Sequence, residues 1–317
     1  MRLLQLENDG EFSLVEYFGE DIPRYAILSH TWGVDKDEVT FRDLTEGLGK
    51  SKAGYQKLVF CAKQATDDGL QFFWVDTCCI DKSSSAELSE AIQSLFRWYH
   101  NSAKCYVYLS DVTTSGFANN DHSFQQSRWF TRGWTLQELL APTYVEFFSE
   151  GCDRLGDKGS LKIQIAGITG ISVQALQGFP LYSFSVKERI SWAGKRETKR
   201  EEDRAYSLLG ILDISMSARY GEGEKSWDRL LNKISKVSTS EWTPPPLVTV
   251  ARVGEELEGN DAAEVSSANI INITCTTRLV LYAIDYCSQS MCLQPIYGSL
   301  QSLELCTASS LIQYTLL

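Results

Sequence analysis

Short apolar runs alternate with amphipathic segments over the first half of the chain. Four runs are rich in β-branched and aromatic residues and are bounded by polar residues or glycine, which is typical of buried strands. Between them, apolar residues recur at helical spacing, and Ser84 followed by Glu87 predicts a capping box at the start of the second helix. The predicted strands are Tyr25–Ser29, Phe72–Val75, Cys105–Leu109 and Tyr144–Phe148.

This alternation predicts an α/β fold in which a mostly parallel sheet is covered by helices on both faces. Right-handed crossovers place the carboxyl ends of parallel strands at one edge of the sheet, and ligands bind outside that edge. The residues that follow the strands are therefore candidates for function. They are His30, Thr31, Trp32 and Gly33 after the first strand, Asp76, Thr77 and Cys78 after the second, and Ser110 and Asp111 after the third.

Three zones of different composition predict the domain organisation. We assign residues 1–150 to the sheet domain, 151–238 to a C-terminal helical extension, and 239–317 to a low-charge tail that we expect to be poorly ordered. Within the extension, the run 195–204 (KRETKREEDR) mixes both charge signs and predicts a solvated helix entry. The helices predicted there cover Ser185–Trp192, Glu201–Leu212 and about Glu224–Ile234.

Charge and cysteine usage restrict the class of protein. The net charge of −11 is opposite to the basic surface that nucleic acids require, so nucleic acid is not an expected partner. The sequence has no signal-peptide pattern and no apolar stretch long enough to span a bilayer, which predicts a cytoplasmic protein without a membrane span. The nine Cys and three His lack the paired spacings of a zinc site, so we expect reduced thiols and no metal.

Four ordered motifs carry a family resemblance. The strings YAILSHTWG, FFWVDTCCIDKSSSAELSEAI, CYVYLSDV and SRWFTRGWTLQELLAP together resemble the fungal heterokaryon incompatibility (HET) domain. A later string, KREEDRAYSLLGILDISMSARYGEGEKSWDRLL, is similar to the segment that follows it in many HET proteins. The resemblance implies a non-self recognition protein, akin to innate immunity, that triggers programmed cell death when incompatible cells fuse.

HET domains are in turn similar to TIR domains, and this implies a doubly wound parallel sheet and a candidate catalytic residue. Many TIR domains cleave NAD with a Glu in a helix that carries the pattern W-C-x-x-E-L. Residues 134–139 (WTLQEL) match that pattern, except that Thr135 replaces the Cys. The resemblance therefore implies Glu138 as the catalytic carboxylate and NAD as the substrate, with no permanently bound cofactor.

Cleavage of the nicotinamide–ribose bond passes through an oxocarbenium-like state, which a carboxylate stabilises. Asp76 and Asp111, each just beyond a strand, are candidates for a second acid or a ribose ligand. Trp32 and Trp134 are candidates for stacking on the nicotinamide or adenine ring.

Phosphate binding has candidates of its own. Arg128 and Arg132, together with Ser29, are suited to hold a pyrophosphate, because arginine forks match phosphate oxygens. Gly33 would let the loop after the first strand approach a ligand closely. The alternative for the arginines is an ordinary solvated position.

Structural interpretations compete with the functional ones. Thr135 as N-cap and Glu138 three residues later form a capping-box pattern, which would hold the carboxylate against its own helix. His30 is a candidate general base, or it simply ties its loop to the sheet edge. Cys78 and Cys79 lack an identifiable histidine partner, so we interpret them as small buried residues and not as nucleophiles.

Two function classes follow. One is an NAD glycohydrolase that triggers incompatibility cell death. The other is a non-enzymatic death-signalling adaptor that acts by self-assembly. Self-association and an upstream NOD-like or other incompatibility protein are the partners that the resemblance implies. A reversible NAD oxidoreductase is disfavoured, because no G-x-G-x-x-G follows the first strand.

Overall fold

A seven-stranded mixed sheet forms the centre of the structure. The computed structural model describes residues 1–119 and 121–239 of the 317. The strands are β1 (Arg2–Leu6), β2 (Phe12–Glu16), β3 (Tyr25–His30), β4 (Phe72–Trp74), β5 (Lys104–Tyr108), β6 (Val145–Phe148) and β7 (Arg154–Asp157). Their order across the sheet is β2-β1-β4-β3-β5-β6-β7.

The four predicted strands form the parallel centre of this sheet and confirm the α/β class. β3 pairs in parallel with β4 on one side and with β5 on the other, and β5 pairs in parallel with β6. All six residues of β3 are buried, as expected for a strand covered on both faces. The predicted tail lies outside the described residues.

Three further strands were not predicted, and all of them are antiparallel. β1 and β2 form a hairpin at one edge, and β7 pairs with β6 at the other edge. The hairpin carried a recognisable signal, because the turn dipeptide Asp9-Gly10 lies between the apolar-rich runs RLLQL and FSLVE, and Gly10 has a φ of 82°. β7 lies in the zone whose pattern is mostly helical, so that zone also contributes to the sheet.

Helices cover both faces of the sheet. The Tyr106 hydroxyl on β5 donates to the Gln64 carbonyl of the helix between β3 and β4, at 3.1 Å. The Tyr25 hydroxyl on β3 donates to the Trp98 carbonyl of the helix between β4 and β5, at 2.6 Å. Tyr106 lies opposite Leu28 in the register, and Leu28 is three residues after Tyr25 on β3. Because side chains alternate along a strand, Tyr25 and Tyr106 point to different faces of the sheet.

The α-helices of the described residues are mostly short. They are α1 (Phe41–Thr45), α2 (Tyr55–Asp67), α3 (Asp76–Cys79), α4 (Ser85–Asn101), α5 (Thr114–Ala118), α6 (Ser123–Gln126), α7 (Thr135–Leu140), α8 (Lys162–Thr169), α9 (Val173–Leu176), α10 (Val186–Ser191), α11 (Asp203–Tyr206), α12 (Leu209–Leu212) and α13 (Lys225–Thr239). The helix predicted over Glu201–Leu212 is therefore two helices, α11 and α12.

Local capping explains where two of these helices begin. The Ser84 hydroxyl accepts from the Glu87 N–H, as predicted, but the Glu87 carboxylate accepts from the Asp81 N–H and not from Ser84. Ser185 caps α10 by accepting from the Glu188 N–H at 3.1 Å. None of the helices within residues 1–119 and 121–239 has the length and apolar character that crossing a bilayer requires.

Candidate functional site

Glu138 lies on the short helix α7 and reaches across to the central strand β3. The Ser29 hydroxyl, on β3, donates to Oε2 of Glu138. Trp129 is fully buried, and its indole N–H donates to the Ser29 oxygen at 2.8 Å. This chain of donors fixes Ser29 so that its own hydrogen points to the carboxyl group of Glu138.

The capping-box interpretation of Glu138 is wrong. Thr135 is the first residue of α7 and not its N-cap, and Trp134 at the N-cap makes no side-chain capping bond. The Thr135 hydroxyl donates to the Trp129 carbonyl at 2.6 Å and lies 2.9 Å from the Arg132 carbonyl. It is therefore committed to the preceding turn, and the Glu138 carboxyl group is turned toward the sheet.

The environment of Glu138 favours its protonated form. The residue keeps partial solvent exposure, whereas its carboxyl group is surrounded by protein. Burial raises the pKa of Glu138 to about 8, and the negative charge of Asp76 acts in the same direction. The hydrogen bond from Ser29, the nearby Tyr99 hydroxyl and the positive charge of Arg196 oppose this shift in pKa. A raised carboxyl pKa beside a sheet edge is typical of functional sites.

Two residues of this environment were missed by the sequence analysis. Tyr99 belongs to the apolar stripe of α4, and its hydroxyl donates to the Leu28 carbonyl at 3.0 Å. Arg196 lies in the mixed-charge run, but the prediction of a solvated position is wrong for it, because its Nη2 atom is buried. A buried arginine within a charged run leaves no signal in a single sequence.

A second group of predicted residues meets at the carboxyl ends of β3 and β4. The Trp32 indole N–H donates to Oδ2 of Asp76 at 3.0 Å. Nδ1 of His30 lies 4.0 Å from Oδ1 of Asp76. Lys82 donates to Oδ2 of Asp76 at 3.2 Å, and its amine lies 3.7 Å from the centre of the Trp32 ring. Asp76 therefore has aromatic and cationic neighbours at the sheet edge.

Glu38 was also missed and lies on the other side of His30. Nε2 of His30 lies 3.8 Å from Oε2 of Glu38. Oε1 of Glu38 accepts from the Lys57 amine at 2.5 Å and from the Gly33 N–H at 2.6 Å. Burial alone would raise the pKa of Glu38, but the contacts with His30, Lys57 and Gly33 outweigh it and lower the pKa to about 2. The Gly33 loop is thus anchored to an ionised acid.

Three other predicted residues lie in different local settings. Both oxygens of Asp111 accept hydrogen bonds from the turn that precedes α7, from the Ser127 hydroxyl at 2.7 Å and the Arg128 N–H at 2.8 Å. Arg132 contributes its main-chain carbonyl, which lies within hydrogen-bond distance of the Thr135 hydroxyl and accepts from the Arg196 guanidinium. Trp134 is partly buried, next to the carboxyl group of Asp203.

The adjacent cysteines have the character of core residues. Cys78 and Cys79 are both buried, and the Cys78 thiol donates to the Val39 carbonyl at 3.1 Å. Burial raises the pKa of Cys78 to about 12, which disfavours the thiolate that a nucleophile requires. Within the described part of the chain, no three His, Cys, Asp or Glu side chains are grouped so as to hold a metal ion.

Comparisons with known proteins agree with the motifs. Residues 25–126 match the family described as Heterokaryon incompatibility protein (HET). The chain is 56% identical over 243 residues to Vegetative incompatibility protein HET-E-1 of Podospora anserina. That alignment covers 74% of this chain but only 18% of the relative, so the chain spans less than a fifth of that protein. No solved structure matches the chain.

Proposed function

This chain is a heterokaryon incompatibility (HET) domain protein, and from that premise we propose that it triggers programmed cell death in fungal non-self recognition by hydrolysing NAD. The relative is named a vegetative incompatibility protein, which supports the biological part of this proposal. The enzymatic part depends on a single observation. Glu138 is not used as a helix cap, and its carboxyl group meets Ser29 where parallel strands end.

The chemistry needs a carboxylate beside the ribose. As the nicotinamide leaves, positive charge develops on the sugar, and a nearby carboxylate stabilises that charge. Nicotinamide departs as a neutral molecule, so the reaction needs little acid assistance. One well-placed acid, Glu138, is then sufficient for the bond-breaking step.

The raised pKa of Glu138 fits this role if binding changes the ionisation of the acid. At neutral pH the free site holds Glu138 largely protonated, since its pKa is about 8. The nicotinamide ring of NAD is positively charged, and a bound positive charge lowers the pKa of a neighbouring carboxyl group. Substrate binding then produces the carboxylate. The value of kcat/KM, which reports the free enzyme, should rise with pH up to about 8.

The neighbouring residues have complementary roles in this proposal. Trp32, at the ends of the same strands, provides an aromatic ring for the nicotinamide or adenine, and Asp76 provides a ligand for ribose hydroxyls. The TIR-like, doubly wound arrangement belongs to the same proposal. It is supported by the order of the four central strands, β4-β3-β5-β6. In this order β3, the first of the four along the chain, lies between β4 and β5, the second and the third.

Expression in yeast tests the proposal. We expect the wild-type chain to lower cellular NAD and to be toxic, and Glu138→Gln to abolish both effects while the protein accumulates normally. Glu90→Gln makes the same chemical change on the exposed face of α4 and should behave as wild type. Toxicity that persists in Glu138→Gln with unchanged NAD would reject the hydrolase and favour the self-assembling adaptor.

A further inference from the structure

Arg196 connects the segment after α10 to the start of the helix that carries Glu138. Its Nη1 atom donates to the Arg132 carbonyl at 2.9 Å and to the Thr135 hydroxyl oxygen at 2.7 Å. The backbones are joined beside it, because the Glu197 N–H donates to the Thr131 carbonyl at 2.6 Å. The link therefore has both main-chain and side-chain components.

The guanidinium group of Arg196 is held in an unusual state. Its Nη2 atom is buried and has no hydrogen-bond partner in the structure. Burial lowers the pKa of Arg196 to about 10, so the group stays charged at neutral pH. A buried charge without compensation is unfavourable, and the acid that can compensate Arg196 by ionising is Glu138.

Thr135 gives this electrostatic contact a geometric basis. Thr135 and Glu138 are three residues apart on α7, so their side chains lie on neighbouring positions of the helix surface. Arg196 binds the first of them directly. Residues 135, 138 and 196 all lie outside the family match at residues 25–126.

We propose that Arg196 is a positioning residue that holds the start of α7 through Thr135 and supplies the positive charge against which Glu138 ionises. The catalytic consequence rests on the proposed NAD hydrolysis, whereas the ionisation of Glu138 is measurable without any activity. In this assignment the zone 151–238 contributes a residue to the candidate active site.

Arg189 provides a matched control on the same stretch of chain. Arg189 is a buried residue, and its Nη1 atom donates to a main-chain carbonyl, that of Ile211, at 2.9 Å. The carboxylate whose charge acts on it is Asp213 and not Glu138. Replacing Arg189 therefore reproduces the loss of a buried arginine without changing the surroundings of Glu138.

The first experiment measures the ionisation of Glu138 in the folded chain. The difference in unfolding free energy between wild type and Glu138→Gln is followed from pH 5 to pH 10, and it levels off near the folded pKa of Glu138. We expect Arg196→Met and Arg196→Gln to move that levelling point upward by about one pH unit. Arg196→Lys, which keeps the charge, should leave it near the wild-type value, as should Arg189→Met.

The outcomes separate the two hypotheses. An unchanged levelling point in both neutral variants, or the same upward shift in Arg196→Lys or Arg189→Met, would overturn the role of Arg196. Arg196→Gln serves where Arg196→Met does not fold, because it retains polar contacts with the start of α7. A wild-type chain that does not cleave NAD would reject the proposed function alone.

The second experiment adds the activity. With NAD as substrate, the rise of kcat/KM with pH, which reports the free enzyme, should move upward in Arg196→Gln by the same interval as the levelling point. A shift of one pH unit lowers the ionised fraction of the free site at neutral pH by about tenfold, and kcat/KM should fall accordingly. A kcat/KM that falls equally at all pH values would indicate a merely structural role.

Discussion

Glu38 and Glu138 flank the end of β3, and at neutral pH Glu38 is ionised whereas Glu138 is largely protonated. Ser29 and His30 are consecutive on β3, so their side chains point to opposite faces of the sheet. Ser29 contacts Glu138 on one face, and His30 lies beside Glu38 on the other. The two faces of one strand thus hold two buried acids of the same type.

The partners of each acid explain the difference. Glu38 accepts from the Lys57 amine and the Gly33 N–H, which keep it ionised, with a pKa of about 2. The hydroxyls beside Glu138 are neutral, and burial raises its pKa to about 8. A buried acid that is fully paired serves the fold, whereas a buried acid held protonated is a candidate for chemistry. This contrast can be tested at both acids.

The largest effect should come from Glu38→Gln. The substitution keeps the size of the side chain but leaves the buried amine of Lys57 without its counterion, which costs about 3–5 kcal/mol. Urea unfolding at pH 7 measures the loss. The control is Glu46→Gln, which removes an exposed pair with Arg42 and should change the unfolding free energy by less than about 0.5 kcal/mol. Equal effects of the two substitutions would show that Glu38 is not a structural acid.

The same acid predicts how wild-type stability depends on low pH. Because the pKa of Glu38 is lowered on folding from 4.5 to about 2, its contribution is complete above pH 4.5 and is lost as the pH falls toward 2. The unfolding free energy of wild type should therefore fall more steeply in this range than that of Glu38→Gln. Parallel curves for the two proteins would contradict the lowered pKa.

Glu138→Gln should act in the opposite direction and stabilise the chain. The pKa of Glu138 is raised from 4.5 to about 8, so its favourable contribution is complete below pH 4.5 and is lost as the pH rises to 8. Gln keeps an acceptor for Ser29 and does not titrate. Its advantage over wild type should grow by up to about 1.4 kcal/mol per pH unit in that range. Thermal unfolding at pH 5 and pH 8 measures it, and an advantage independent of pH would refute the raised pKa.

The contrast between the two acids also shows how far the sequence could lead. The central strands and the sheet edge were predictable, because each strand is a short apolar run with a local boundary. Glu138 was found through the motif that surrounds it, not through periodicity. Glu38 lies in the polar run 33–38 (GVDKDE), and only its long-range contact with Lys57 identifies it as buried.

The hydrogen bonds at the start of α7 were beyond prediction for the same physical reason. The pattern of Thr135 and Glu138 satisfies a local capping rule, and nothing nearby in the chain contradicts it. Tertiary contacts override the local capping pattern, because the Thr135 hydroxyl donates to the Trp129 carbonyl and accepts from Arg196. Contacts between distant segments decide such cases, and a single sequence does not record them.

Thr135→Val should have a moderate effect that sharpens this point. Valine matches the shape of threonine but removes the hydroxyl that donates to the Trp129 carbonyl and accepts from the Arg196 guanidinium, at a cost of about 1–3 kcal/mol. Thr135→Ser retains the hydroxyl and should cost less. Chemical denaturation of the two variants makes the comparison. Equal losses would assign the effect to the methyl group and its packing, and the hydroxyl would then not organise α7.

Asp76 connects the two acids and should give the smallest effect. It lies 4.0 Å from His30, on the Glu38 side, and its negative charge raises the pKa of Glu138. Asp76→Asn keeps an acceptor for the Trp32 indole and removes the charge. The pKa of Glu138 should then fall by roughly a few tenths of a unit, since Lys82 already compensates part of the Asp76 charge.

The measurement compares the unfolding free energy of Asp76→Asn with that of the same protein carrying Glu138→Gln as well. The pH at which this difference levels off is read for comparison with the wild-type value. A downward shift places Asp76 within the electrostatic environment of Glu138. Asp68→Asn is a suitable control, because Asp68 accepts from Tyr106 and pairs with Lys104, away from this edge. An upward shift, or none, would separate Asp76 from Glu138 and leave the two acids as independent sites on opposite faces of one strand.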